Sequence, residues 1–366
     1  MVNPQPSPPG PPGPPRSRHR RRRILSVAAS LLGGLLVVAA VAAAVIHVPY
    51  VIISPGSATP LSSQVVTVSG APTYRHSGRL LFLTVEVTTQ DPNLYSYAFA
   101  SLDANDSVQK KQDVIGCASY AADARLNTLL MTDSQNTAKE LALSRVGYQV
   151  AHLSDRVVVA DLECGGPSDH HLQEGDIITA VDGHPVSTAT GVRPLVLVHK
   201  PGDLIHLSVQ RGGQAVPVTV RAGHNGPNAF LGIVTQTLST WRFPINVTIN
   251  TQGVSGPSAG LAFTLALIGD LNPGDLTGGH RVAVTGTIAS DGSVGQVGGV
   301  AQKAIAAQRS GAVAMLVPAG EASDARSHAH GLRIITVQTV DDALRALRSL
   351  GGAPIAAPPS TAASPQ

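Results

Sequence analysis

An uncharged apolar run near the N-terminus constrains the chain more than any other feature. The stretch ILSVAASLLGGLLVVAAVAAAVI occupies residues 24–46 and follows the basic cluster RSRHRRRR at residues 16–23. A helix of this length, at about 1.5 Å per residue, crosses the roughly 30 Å hydrocarbon core of a bilayer. Because basic residues stay on the cytoplasmic side, the sequence predicts a single-pass protein of the cell membrane with residues 47–366 outside the cytoplasm. The alternative is a signal peptide cleaved near residues 42–44, although the run exceeds the usual apolar region of about 7–15 residues.

Composition limits the partners and cofactors that the chain is expected to use. Aromatic residues make up 3% of the 366 residues, which argues against a base-stacking nucleic-acid surface. The net charge of +3 depends on the arginine cluster, and the remainder is slightly acidic, so no nucleic-acid partner is expected. Cys117 and Cys164 lack metal-ligand spacing, so a zinc site is not supported. No metal and no cofactor are expected. Outside the cytoplasm the two could form a disulfide, and two separate buried thiols fit equally well.

Hydrophobicity patterns predict an α+β multidomain chain. Within residues 47–149, Ser134 is expected to cap a helix that ends at Gly147. The predicted segments are a disordered cytoplasmic tail at 1–23, a transmembrane helix at 24–46, a mixed α/β segment at 47–149, a small β-barrel at 150–223, an α/β domain at 224–350 and a disordered tail at 351–366.

The predicted barrel at residues 150–223 contains two diagnostic stretches. GDIITAVDGHPV indicates two strands joined at an Asp-Gly turn, and KPGDLIHLSVQRGG begins a hairpin with a Gly-Gly turn. Together they resemble the PDZ domains associated with bacterial proteases. The resemblance implies capture of extended protein or peptide segments as an added strand; the alternative is a β-barrel without a ligand. His170 and His171 are adjacent in a loop without acidic partners, so a metal site is not expected there.

Ser258 lies in the stretch TQGVSGPSAGLAFTLALIGDL at residues 251–271, at the start of an apolar run that predicts a buried helix. Serine is a preferred helix N-cap, and Pro257 also suits a helix start, so a purely structural role is one interpretation. The other is a nucleophile. In that case the backbone N–H groups of Gly256, Ser258 and Ala259 would stabilise an oxyanion at the positive end of the helix.

Lys303 is the candidate base for such a serine. Apart from it, the chain contains the lysines Lys110, Lys111, Lys139 and Lys200. Beyond Lys200, arginines supply every other basic charge, so a lysine here suggests a role that arginine cannot fill. Its predicted helix, VAQKAIAAQRSG, surrounds the ammonium with small apolar residues, and poor solvation lowers a lysine pKa. The neutral amine can then accept a proton, whereas arginine stays protonated. A lysine on the exposed face of an amphipathic helix is the simpler alternative.

Both residues fall in a pattern that resembles a known protease family. GPSAG, VAVTGTIASDGSVGQVGGVAQKAIAAQRSGA and AMLVP are similar, in order and spacing, to the Lon-type proteolytic domain, over about residues 230–350. With the apolar run and the PDZ-like unit, the chain resembles the membrane-anchored, PDZ-containing Lon-like proteases of Gram-positive bacteria. The resemblance implies Ser258 as nucleophile and Lys303 as general base, with Thr285 supporting the lysine by a hydroxyl hydrogen bond. Two positions depart from Lon proper, which usually has acidic residues where this chain has Ser255 and Thr287.

The resemblance implies an ATP-independent serine endopeptidase acting on unfolded or flexible protein segments outside the cytoplasm. No G-x-x-x-x-G-K-[ST] motif occurs in the 366 residues, so an ATP-driven unfolding module is not expected. Lon-type domains commonly form homo-oligomeric rings, although no ring interface is visible in the sequence. Two alternatives are a membrane-tethered PDZ adaptor with an inactive protease domain and an α/β-hydrolase esterase. The esterase would pair Asp291 or Asp324 with His328 or His330.

Overall fold

The computed structural model describes residue 10, residues 16–251 and residues 253–356, with the backbone alone for residues 16–26. Most of the predicted tail at 1–23 and the end of the tail at 351–366 lie outside these residues. Helix α1 begins at Arg16, earlier than the predicted residue 24, consistent with the high helix propensity of arginine. Residues 351–356 have no regular structure, but they pack on the domain, where the N–H of Ala356 donates to Oδ1 of Asn272 at 2.8 Å.

The helices of the described residues include a long N-terminal helix and a second long helix near the middle of the sequence. They are α1 (Arg16–Val45), α2 (Leu94–Leu102), α3 (Lys111–Ile115), α4 (Tyr120–Arg145), α5 (Ala189–Leu197), α6 (Gly260–Leu271), α7 (Val300–Arg309), α8 (Ala322–His328) and α9 (Val340–Ser349), with 3₁₀ turns at Pro257–Ala259 and Ala319–Glu321.

The strands of the described residues form two six-stranded sheets and three small ladders. They are β1 (Tyr50–Pro60), β2 (Val66–Ser69), β3 (Arg79–Val87), β4 (Ser107–Lys110), β5 (Ala151–Leu162), β6 (Ile177–Val181), β7 (His184–Pro185), β8 (Leu204–Arg211), β9 (Gln214–Arg221), β10 (Gly223–Asn225), β11 (Asn228–Phe230), β12 (Ile233–Arg242), β13 (Asn246–Ile249), β14 (Arg281–Val284), β15 (Thr287–Ile288), β16 (Val294–Gly295), β17 (Ala314–Pro318) and β18 (Arg333–Val337).

Helix α1 contains the stretch Val27–Val45, which is long and apolar enough to cross a membrane. Among the described residues it is the one helix that meets this criterion, and a signal sequence would meet it as well. None of the span is buried against the rest of the chain.

The first large sheet has the strand order β18-β17-β14-β3-β1-β4 and draws on distant parts of the sequence. Strand β14 pairs in parallel with β3 and β17, whereas β1 runs antiparallel to β3. Side chains alternate between its faces, as the strand period of two requires. Leu80, Phe82 and Val284 pack with α6 on one face, and Leu81 and Ala283 pack with α7 on the other. Residues before and after the PDZ-like unit therefore build one domain, and the PDZ-like unit is an insertion within it.

The second large sheet has the order β12-β5-β6-β8-β9, with β7 beside β6 and α5 packed against it. Strand β12 pairs with β5 from Ile233↔Leu162 to Arg242↔Ala151. The sheet of the PDZ-like unit therefore includes β12, which lies after the predicted boundary at residue 223. A local sequence pattern can identify a strand, but it cannot reveal a partner some 80 residues away.

Helix α4 lies between the two sheets. Leu126, Leu129 and Leu130 pack against the PDZ-like sheet, and Leu141 and Ala142 pack into the core around α6. The helix begins after the N-cap Ser119, whose side chain accepts from the N–H of Ala122 at 3.2 Å. Ser134, the predicted cap, is therefore inside the helix. A small polar residue before a periodic apolar stretch resembles an N-cap when the earlier turns of the helix have no clear apolar pattern.

A disulfide joins Cys117, just before α4, to Cys164, just after β5, with the two Cα atoms 5.3 Å apart. It thus ties the inserted unit to the helix on which that unit packs.

We expect the double variant Cys117→Ser, Cys164→Ser to be less stable than the oxidised protein. The bond closes a loop with a sequence separation of 47, and restricting such a loop in the unfolded chain stabilises a fold by about 4 kcal/mol. Denaturant unfolding of the variant and of wild type, with and without reductant, would measure this. Reduced wild type should match the variant; equal stability of all samples would contradict the expectation.

Candidate active site

Ser258 lies within the 3₁₀ turn Pro257–Ala259 that precedes α6, and it is half-buried. The residue at the N-cap of α6 is Ala259, and neither the turn nor the helix receives a side-chain capping hydrogen bond. The structural interpretation of Ser258 as the helix cap therefore does not describe this fold. Its hydroxyl lies at the start of a buried helix but does not cap that helix.

Helix α4 fixes the turn from one side. The N–H of Gly256 donates to the carbonyl oxygen of Asn127 at 3.1 Å, and Oγ of Ser134 donates to the carbonyl oxygen of Pro257 at 3.0 Å. Gly260 is required at this contact, because a Cβ there would lie 2.6 Å from Oγ of Ser134. Sequence reasoning did not identify Asn127, nor the contact of Ser134 with Pro257, since these partners are more than a hundred residues apart.

The residues after β14 fix the same turn from the other side. The carbonyl oxygen of Ser258 accepts from the N–H of Gly286 at 2.9 Å and from the fully buried hydroxyl of Thr285 at 3.3 Å. In turn, the N–H of Leu261 donates to the carbonyl oxygen of Gly286 at 3.2 Å. The structure thus brings Thr285 to Ser258. The expected hydrogen bond from Thr285 to Lys303 is not among the contacts of the described residues.

The three predicted oxyanion donors differ in availability. The N–H of Gly256 is engaged by Asn127, so it cannot also bind an oxyanion in this conformation. The N–H groups of Ser258 and Ala259 belong to the first turn, where intrahelical acceptors are missing. These two are the donors that the geometry leaves for a ligand.

Lys303 lies in the first turns of α7 and is only 2% exposed. Neighbouring Val300, Ala304 and Ala307 pack into the apolar core beneath the sheet. Burial lowers the pKa of Lys303 to about 8, and the negative charge of Glu321 opposes that shift. The lysine is therefore not an exposed surface charge, and a substantial fraction of its amine is neutral at mildly alkaline pH.

Ser258 and Lys303 approach the same edge of the first sheet from opposite faces. The contacts of Ser258 with Thr285 and Gly286 lie just beyond the carboxyl end of β14. Helix α7 begins at that edge too, because a Cβ on Gly299 would lie 2.8 Å from Cγ1 of Val85, near the end of the parallel strand β3. Among the described residues no hydrogen bond links the two side chains. Active sites of open α/β sheets commonly lie beyond the carboxyl ends of the strands.

Glu321 is a polar neighbour of this site that sequence reasoning did not identify. Its Oε1 accepts from the N–H of Val297 at 2.8 Å, in the loop that leads into α7, and its Oε2 is buried without a hydrogen-bond partner. Burial raises the pKa of Glu321, while the charge of Lys303 lowers it. A carboxylate in this position favours the protonated form of Lys303 and limits how far its pKa can fall.

A second candidate site is a groove of about 860 Å³ in the PDZ-like unit. It lies between α5 and the segment that leads into β12, and Val192, Leu197, Leu231 and Ile233 contribute to its apolar lining. Among the described strands, β12 pairs with β5 alone, so one of its edges is open. The open part of this edge is the start of β12 beside the groove, because further along Asp133 of α4 accepts from the N–H of Ser239 at 2.9 Å. An open edge beside an apolar groove suits an added peptide strand.

No cluster of three or more His, Cys, Asp or Glu side chains that could hold a metal ion occurs within the described residues. His170 adopts a left-handed conformation, with φ 65°, and its Nδ1 lies 3.7 Å from Oδ1 of Asp169. The prediction that this loop lacks acidic partners is therefore wrong, because Asp169 lies beside His170.

Two protein-family models match the chain. Residues 144–221 match the PDZ domain, and residues 203–349 match the Lon protease (S16) C-terminal proteolytic domain. The chain therefore combines a PDZ domain with a Lon-type proteolytic domain, which confirms the two domain resemblances drawn from the sequence. Membrane anchoring is suggested by the apolar N-terminal helix alone. The second match includes Ser258, Thr285 and Lys303.

Similar curated proteins include Lon proteases, and similar solved structures include a PDZ domain. Lon protease of Phenylobacterium zucineum is 30% identical over 42% of this chain and 18% of its own length. Lon protease of Desulforamulus reducens is 28% identical over 50% of this chain and 20% of its own. The chain thus spans about a fifth of the length of these curated relatives. The solved PDZ domain of the SdrC-like protein from Listeria monocytogenes is 20% identical, covering 22% of this chain and 85% of its own, with a TM-score of 0.21.

Because Lys303 is buried, its titration should make the free energy of unfolding depend on pH. Substitution of the lysine should remove this contribution. The unfolded chain keeps the lysine protonated up to its ordinary pKa of 10.5, whereas the folded chain loses the proton near 8. Between these values the unfolded state binds more protons, so the stability of wild type rises with pH. We expect Lys303→Met to be more stable than wild type at pH 7, with the difference shrinking from about pH 8 upwards, as measured by denaturant unfolding at several pH values.

The matched control is Lys110→Met, because Lys110 is exposed. It should leave the pH dependence of stability unchanged. A Lys303→Met protein whose stability difference from wild type is the same at every pH would contradict the burial of a titrating amine.

Proposed function

We propose that this chain is a membrane-anchored serine endopeptidase that cleaves unfolded or flexible protein segments outside the cytoplasm without ATP. The observation that carries the proposal is the position of Ser258. Its hydroxyl caps neither the 3₁₀ turn nor α6, and it lies at the end of the sheet where the buried Lys303 also lies. The match to the Lon-type proteolytic domain supports the class of reaction. The 366 residues contain no phosphate-binding loop, which supports independence from ATP.

In the proposed mechanism, the neutral amine of Lys303 accepts the proton of Ser258 as Oγ attacks the peptide carbonyl carbon. The N–H groups of Ser258 and Ala259 stabilise the oxyanion. The ammonium of Lys303 then protonates the departing amine, which leaves an acyl-enzyme. Water, deprotonated by Lys303, attacks the acyl carbon; the carboxylate product departs and the proton returns to Oγ. Because no hydrogen bond of the described residues joins the two side chains, this mechanism requires a movement that brings Oγ of Ser258 to Nζ of Lys303. Catalytic hydrogen bonds are often long or poorly aligned before substrate binds.

The location outside the cytoplasm is supported by two separate features. Basic residues 16–23 precede the apolar run, and such residues favour the cytoplasmic side. The disulfide between Cys117 and Cys164 is typical of proteins in an oxidising compartment.

Of the alternatives, the esterase has the weaker support. His328 lies on α8, where Nδ1 is 2.9 Å from Oγ of Ser327 and 3.5 Å from Oδ1 of Asp324. Among the described residues neither Asp324 nor His328 makes a hydrogen bond to Ser258. An adaptor with an inactive protease domain is the remaining alternative, and activity measurements distinguish it.

Ser258→Ala should abolish the cleavage of an unfolded polypeptide, because no other hydroxyl replaces the nucleophile. Lys303→Arg should lower the rate by about 10²–10⁴-fold, since arginine does not accept the proton. Wild-type activity should rise with pH, with a midpoint near the Lys303 pKa of about 8. The measurement is hydrolysis of an unfolded protein by the purified full chain, with and without ATP.

Ser255→Ala is the control, because Ser255 is an exposed serine in the same segment. It should retain most of the wild-type activity. Full activity of a folded Ser258→Ala protein would refute the proposal, and strict dependence on ATP would refute its nucleotide-independent form.

The PDZ groove should deliver substrate without taking part in the chemistry. Leu197 lines the groove and is 41% exposed, so Leu197→Glu places a charge on the peptide path with little effect on folding. We expect a higher KM for protein substrates and an unchanged kcat. The adjacent Val198, 78% exposed, does not contribute to the groove lining, so Val198→Glu is the matched control. Equal KM values for both variants and wild type would remove the groove from substrate capture.

A further inference from the structure

Helix α2 exposes a stripe of large apolar side chains. Tyr95 is 58% exposed, Phe99 57% and Leu102 85%. The spacing i, i+4, i+7 puts all three on one face of the helix. The rings of Tyr95 and Phe99 also contact each other, with centroids 4.5 Å apart. A contiguous apolar surface of this kind, unlike a single exposed leucine, indicates an interaction site.

The opposite face of α2 is firmly attached to the protein. Ala100 is buried, and the ring of Tyr97 lies 4.8 Å from that of Tyr50 in β1. The helix is capped by Asn93, whose Oδ1 accepts from the N–H of Ser96 at 2.8 Å. The exposed stripe is therefore a fixed surface of a well-formed helix.

The chain connects α2 directly to the end of the candidate membrane span. The N–H of Leu94 donates to the carbonyl oxygen of Ile46 at 2.8 Å, and the N–H of Val48 donates to that of Pro92 at 2.9 Å. Helix α1 ends at Val45, one residue before the first of these contacts. If α1 crosses the bilayer, α2 begins at the depth where the chain leaves the hydrocarbon.

The type of side chain also fits a membrane surface. The whole chain has only six tyrosines, five phenylalanines and one tryptophan, yet Tyr50, Tyr95, Tyr97 and Phe99 gather beside the end of α1. Tyrosine is enriched where hydrocarbon meets the headgroups, because its ring is apolar and its hydroxyl remains hydrated. Asp103, directly after α2, adds a negative charge, so the contact is expected to be apolar and not an attraction to anionic lipid.

We propose that Tyr95, Phe99 and Leu102 insert into the headgroup–acyl boundary of the bilayer that holds α1. Helix α2 then lies along the membrane surface as a second point of attachment. This inference rests on the proposed membrane anchoring. Strand β1 begins at Tyr50 and pairs Ile53 with Val87 at the end of β3, so the end of the sheet near Ser258 is also the end from which the chain leads back to α1.

Quenching by brominated lipids tests the insertion in the full chain. Phe99→Trp, in a Trp241→Phe background, puts the sole tryptophan on the stripe, since the chain has one native Trp. After reconstitution into phosphatidylcholine vesicles brominated near the start of the acyl chains, we expect strong quenching and a blue-shifted emission. The control carries Val198→Trp in the same background, at a position 78% exposed on the PDZ unit, and should not be quenched.

Flotation of the vesicles after carbonate extraction reports on α1 independently. A Phe99→Trp protein that floats with the vesicles while its emission stays unquenched would overturn the insertion but leave the anchoring intact. Blue-shifted emission without quenching would identify a protein surface, such as a second copy, as the actual partner and would also overturn it. A chain that does not float would overturn both the anchoring and the insertion that depends on it.

Discussion

The carbonyl oxygen of Ser258 is the point on which the arrangement of the candidate site depends. It accepts from Thr285 and Gly286, which follow the central strand β14, while α4 holds the neighbouring Gly256 and Pro257. Main-chain hydrogen bonds of this kind fix the turn without using the serine hydroxyl. Ser258 is thus held by its backbone, and its side chain remains available for the proposed chemistry.

The buried Lys303 imposes an electrostatic constraint on the fold. A charge in an apolar environment is costly, and the fold reduces that cost by letting the amine lose its proton near pH 8. Glu321, anchored by Val297, limits the loss of basicity through its own negative charge. A general base must be neutral often enough to accept a proton and basic enough to hold it. Burial of Lys303 favours the neutral amine, and the charge of Glu321 keeps the amine basic.

Local patterns in the sequence predicted the parts of the molecule that depend on neighbouring residues. The apolar run of α1, the turns of the PDZ domain and the buried helices that carry Ser258 and Lys303 all follow from short stretches. The sheet around β14 did not, because β1 and β3 come from far upstream and strand pairing over such distances leaves no local pattern. Ser134 was wrongly predicted as a cap for a related reason: its partner, Pro257, is distant in sequence. Glu321 escaped notice because its significance comes from burial beside a lysine, which only the fold reveals.

Helix α4 links the two domains in a way that bears on their cooperation. On one side Oδ1 of Asp133 accepts from the N–H of Ser239 in β12, at 2.9 Å, and on the other Asn127 and Ser134 hold the turn of Ser258. The open strand of the PDZ groove and the candidate nucleophile therefore contact the same 26-residue helix. Because close-packed interfaces do not deform continuously, α4 cannot move toward one domain without breaking contacts with the other. The groove and Ser258 are consequently both positioned by contacts with one helix, and the proposed delivery of substrate from the PDZ domain to Ser258 would run along that helix.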